Sequence, residues 1–110
     1  MIELGTKVSL DEFLNNEELR GKVKRGIKGL YADVMAEAEK VTKKKGEDAV
    51  WELAKGKIIS PILVQELIDV LQIVKNIDSV DNEIIYAMLV RIMEDLEQLY
   101  IALAKMPTSQ

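Results

Sequence analysis

The sequence predicts an all-α protein, a small helical bundle with two long helices, one central apolar helix and short capping helices. Three patterns predict it. From Glu17 onward Leu19, Val23, Ile27, Leu30, Val34, Ala38 and Val41 recur at spacings of four, four, three, four, four and three, which lines one side of a helix. Near the end of the chain Ile85, Met88, Ile92, Leu96, Leu99, Leu103 and Met106 recur in the same manner and approach a heptad seam. Between them, residues 62–77 hold ten apolar side chains out of sixteen: Ile62, Leu63, Val64, Leu67, Ile68, Val70, Leu71, Ile73, Val74 and Ile77. On a helical wheel these cover an arc of about 240°, too wide for a single neighbour to hide.

Residues 1–8 read as an N-terminal arm, since Ile2 and Leu4 alternate without a helical period. A single helical domain then spans 9–106, followed by a polar tail over 107–110. Ser9 and Glu12 fit a capping box, with Val8 and Phe13 as the apolar staple around it. That first helix is short because Asn15-Asn16 interrupts it, and Asn15 with Glu18 can cap a second start. The long helix that follows contains Gly21, Gly26 and Gly29, each unfavourable by about 1 kcal/mol relative to alanine, so packing compensates or the helix kinks near Gly26. Gly29, Ala32 and Ala36 can also form a smooth strip for a close neighbour.

Lys43-Lys44-Lys45-Gly46 suits a helix end, with cations at the negative pole and a glycine for the left-handed cap. A short helix from Glu47 to Lys55 would turn Val50, Trp51, Leu53 and Ala54 inward, Trp51 as a core anchor, until Gly56 stops it. Ser60-Pro61 opens the central helix, the serine as cap and the proline at the first helical position. Its polar strip is narrow: Gln65, Asp69, Gln72 and Asn76. With Gln, Glu and Asp inside eighteen residues, this segment reads as a buried core helix and not a membrane span. Asp78-Ser79-Val80-Asp81 then forms a turn before a last helix from about Asn82 to Lys105.

At 110 residues the chain can bury a sizeable core without staples. It has no cysteine and no histidine, which rules out thiolate chemistry and removes both the commonest metal ligand and the commonest neutral-pH base. No catalytic, cofactor-binding or metal residues are predicted. The start lacks the basic and apolar regions of a secretory signal, so a cytoplasmic location is expected. Abundant Lys and Glu beside Ile, Leu and Val is similar to thermophile usage. Residues 1–58 hold twelve Lys/Arg against eleven Asp/Glu, whereas residues 59–110 hold three against eight, within a net charge of −4. An acidic balance of this kind disfavours non-specific nucleic-acid affinity.

Two surfaces stand out. Tyr86, Val90, Glu97 and Ile101 share one face of the last helix, away from its seam, and several apolar residues in line suggest a subunit contact. Twofold self-assembly is the expected form, with another protein as the other possible partner. The second surface is the basic run of Arg20, Lys22, Lys24, Arg25 and Lys28, a nucleic-acid site if the cations converge. On the wheel they spread instead, from about 200° round to about 40°, beside Asp33 and Glu39. A helix-turn-helix over 47–72 fails because Ile62, Leu63 and Val64 stand where base-reading side chains belong. Glu94-Asp95-Leu96-Glu97 reads as a solvated face, and Asp78 to Glu83 lacks the glycine of a calcium loop. Glu66 falls inside the apolar arc, where it either pairs with Arg91 or sits at the solvent edge.

Ser9-Leu10-Asp11-Glu12-Phe13-Leu14 and Glu83-Ile84-Ile85-Tyr86 through Leu99, about half the chain, resemble the helical HEPN domains of prokaryotic nucleases and toxin systems. Those domains carry an arginine and histidine motif, and this chain has no histidine, so the resemblance implies at most a catalytically dead HEPN-like domain. The residues themselves point first to a non-enzymatic protein–protein interaction or scaffold subunit, and second to a nucleic-acid-binding accessory protein using residues 20–28.

Overall fold

The computed structural model describes residues 9–106, and all of the regular structure among them is helical. Five helices follow in order: α1 (Leu10–Asn15), α2 (Glu17–Thr42), α3 (Gly46–Lys55), α4 (Pro61–Lys75) and α5 (Asn82–Ala104). The arm, the tail and the expected Val8 half of the staple lie outside the described residues. The long pair α2 and α5 pack together, α1 closes one end against both, and α3 and α4 lie along the other. The bundle is elongated, 48 × 22 × 19 Å.

Local chemistry sets the helix starts. The Glu12 N–H donates to Ser9 Oγ at 3.2 Å, and the Leu63 N–H donates to Ser60 Oγ at 3.1 Å just before Pro61 is passed into α4. The second cap falls one residue later than expected: Asn16, not Asn15, accepts from the Leu19 N–H at 2.9 Å. Asn15 still belongs to α1, and the extended backbone that a cap needs occurs at Asn16.

Helix ends depart from the expectation in an informative way. Lys43, three residues before Gly46, takes the left-handed conformation (φ 61°, ψ 20°) that closes α2. Gly46 also has positive φ, 53°, but it begins α3. At the end of α3 the left-handed residue is Lys57 (φ 61°), not Gly56. The Ile58 N–H reaches back to the Leu53 carbonyl and the Lys57 N–H to the Ala54 carbonyl, the double closure of a Schellman motif.

The core forms two connected clusters. Phe13, Val23, Ile27, Val70, Ile85 and Ile92 are central to one, and Val34, Val50, Leu53, Leu67, Leu71 and Leu99 to the other. Leu30 and Tyr31 touch both. α2 runs without a break through its glycines. The strip of Gly29, Ala32 and Ala36 is exposed, and a Cβ placed on Gly29 would meet nothing within 4 Å.

The central helix is covered less completely than its apolar arc is wide. Val64, Leu67, Val70, Leu71 and Val74 are buried, with Ile77 just beyond the helix. Leu63, Ile68 and Ile73 are only partly covered, and Ile62 is 74% exposed. The polar strip Gln65, Asp69, Gln72 and Asn76 faces outward as expected.

Candidate functional site

The outer face of α5 is the first candidate. Its inner line, Ile85, Leu89, Ile92, Leu96, Leu99 and Leu103, is wholly committed to the core. On the outer line Val90 remains 48% exposed and Ile101 43%, with Glu97 exposed between them. Tyr86, placed on the same line, is half-buried: its ring lies 5.4 Å from that of Phe13, tilted by 47°, so it helps dock α1 onto α5. The surface thus begins at Val90. Tyr100, which the spacing argument passed over, is the most exposed large apolar residue of α5 at 55%. It shares a shallow depression with Val41 of α2, whereas Ile101 lines one with Ile58 and Leu63 on the α4 side. The last turns of α5 therefore form a ridge that is apolar on both flanks.

The second candidate, the basic run, separates into individual roles. Arg20 reaches back along the chain, its Nη1 donating to the carbonyl of Phe13 at 3.1 Å and to that of Leu14. It closes the C-terminal end of α1. Lys22 pairs with Glu18 at 3.3 Å, and Lys28 with Asp78 at 3.1 Å across to the turn before α5. Among the described residues Lys24 and Arg25 have no ion-pair partner.

An acidic pair that was not expected sits between α4 and α5. Asp95, read from the sequence as solvated, is only 4% exposed, because α4 covers it with Glu66. Burial first, then the hydrogen bond and charge of the Glu66 carboxyl, push the Asp95 carboxyl up to about 7; Arg91 pulls the other way. Glu66 is half-buried at the edge of the core, as one of its two expected readings has it, and it faces the Asp95 carboxyl there. Arg91 spends its charge on Asp69 at 3.3 Å and, more distantly, on Asp95 at 3.7 Å.

A third feature lies where α3 turns into α4. A groove of about 710 Å³ is lined by Trp51, Ala54, Ile58, Pro61 and Val64 with Lys57 at its edge. Trp51 is not the expected core anchor. It is 43% exposed, with its Nε1 donating to Glu47 Oε1 at 3.2 Å.

Among the described residues no group of three or more acidic, histidine or cysteine side chains could hold a metal ion, and no helix is long and apolar enough to cross a membrane. Comparisons with family models, curated proteins and solved structures each give no match. The likeness to HEPN domains accordingly rests on the two sequence stretches alone.

Proposed function

We propose that this chain is a non-enzymatic interaction or scaffold subunit that pairs with a second copy of itself through the outer face of α5. The observation that carries the reading is the ridge of Val90, Tyr100 and Ile101, left exposed on a helix whose other side is already saturated with core contacts. In an antiparallel twofold arrangement centred between residues 95 and 96, Val90 of one protomer meets Ile101 of the partner subunit, the two lying about 16 Å apart along the helix. Glu94 of each protomer then lies opposite Glu97 of the partner subunit. Like charges at such a contact repel, so added salt should strengthen the pairing.

Light scattering of the full chain over a dilution series, at low and at high salt, tests this directly. A concentration-dependent dimer that tightens with salt is expected, and a monomer at every concentration and salt would end the proposal. The second reading, nucleic-acid binding, retains only Lys24 and Arg25 as uncommitted cations. It predicts the reverse salt response in a mobility-shift experiment.

A further inference from the structure

We infer that the groove between α3 and the start of α4 is a binding site for an amphipathic carboxylate, a ligand with an apolar body and one anionic end. A volume of about 710 Å³ falls in the range of small-molecule sites, and the lining has the composition of one: Trp51, Ala54, Ile58, Pro61 and Val64 around a few polar groups. Those polar groups are Lys57, Ser60 and Gln65; no aspartate or glutamate lines the groove. In a chain of net charge −4 the local balance here is positive, and it complements an anion. The adjoining depression toward α5 repeats it, lined by Lys57 and Lys105 and again by no carboxylate.

The position of Lys57 supplies the charge. At φ 61° the closing position of the Schellman motif favours glycine, yet a lysine stands there, at the one place from which an ammonium overlooks both depressions. Trp51, bonded to Glu47 through Nε1, lines the groove and adds apolar ring surface to it.

Because Trp51 is the only tryptophan, its fluorescence reports on this groove alone. The test titrates decanoate, below its aggregation concentration, into the full chain, with decanol and decyltrimethylammonium as uncharged and cationic counterparts. A saturable change with decanoate is expected, about tenfold weaker with decanol, as befits one charge-assisted contact, and absent with the cation. Lys57→Gly removes the ammonium while relaxing the backbone, so it folds at least as well and should weaken decanoate binding about tenfold. Lys43→Gly, which relaxes the same conformation at the end of α2 away from the groove, should bind as the parent does. The inference is overturned if decanoate gives no saturable change or if the cation binds equally well. It is equally overturned if Lys57→Gly binds like the parent, or if concentrating the protein abolishes the signal, which would mean that a second copy covers the groove. None of these results depends on the α5 pairing.

Discussion

Arg91 Nε lies 3.7 Å from Asp95 Oδ2, too far for a hydrogen bond, and that oxygen is buried with no hydrogen-bond partner among the described residues. The guanidinium is shared with Asp69 at the surface, so it leaves Asp95 poorly compensated beside Glu66 and Glu94. The folded state therefore prefers Asp95 protonated.

The sign of the resulting pH dependence follows from linkage. Burial and Glu66 push the folded Asp95 carboxyl up to about 7 from an ordinary 3.8, so between these values the native state binds more protons than the unfolded chain. This residue's unfavourable contribution is absent below about pH 4, grows as pH rises, and is complete above about pH 7. Asp95→Asn should remove that slope. Urea unfolding is expected to show the variant more stable than the parent at pH 8, by on the order of 1–3 kcal/mol, and close to it at pH 4. A parent whose stability rises from pH 4 to 8 while the variant gains nothing would contradict the assignment.

Arg20 is predicted to matter for folding and its neighbours hardly at all. Its Nη1 serves the otherwise open carbonyls of Phe13 and Leu14 at the end of α1, and α1 in turn supplies the fully buried Phe13. Arg20→Ala should lower stability by about 1–3 kcal/mol. Lys24→Glu and Arg25→Glu, without ion-pair partners to lose, should each change it by less than about 0.5 kcal/mol. Denaturant midpoints of the three variants decide the matter.

Gly29→Ala should stabilise the chain by about 0.5–1 kcal/mol. The position is exposed in the middle of α2, its Cβ would touch nothing, and alanine restricts the unfolded chain more than glycine does. A raised urea midpoint with an unchanged slope is the expected result. Destabilisation would mean that another surface lies close to Gly29.

The features read correctly from the sequence are those that local chemistry decides. Ser60 and Pro61 mark the start of α4 without reference to the rest of the fold, and Ile85, Ile92, Leu96, Leu99 and Leu103 need only the helical repeat, although Leu89 is buried where the spacing names the half-buried Met88. Asn15 and Asn16 are equivalent caps to a local argument, and the choice between them depends on how α1 sits on α2 and α5. Trp51 was placed inward because it is large and aromatic. The buried line of α3 passes through Ala49, Val50 and Leu53, and Trp51 stands about 100° beyond Val50 on the wheel. Asp95 was missed for a different reason: an Arg91–Asp95 spacing of four is the usual mark of a surface ion pair, and only the arrival of Glu66 from α4 makes it buried. The Lys57 groove has no sequence signal, since nothing local says that a lysine after a glycine will take the left-handed position.

Sedimentation velocity on three variants tests the pairing of α5 most directly: Val90→Glu, Ile101→Glu, and Ile84→Glu, the last on an exposed isoleucine of the same helix but a different face. The proposed contact predicts a parent dimer that the first two variants weaken at least about tenfold, as a buried charge in an apolar contact requires, while Ile84→Glu sediments as the parent does. A parent that sediments as a monomer, or a dimer that only Ile84→Glu disrupts, would contradict it.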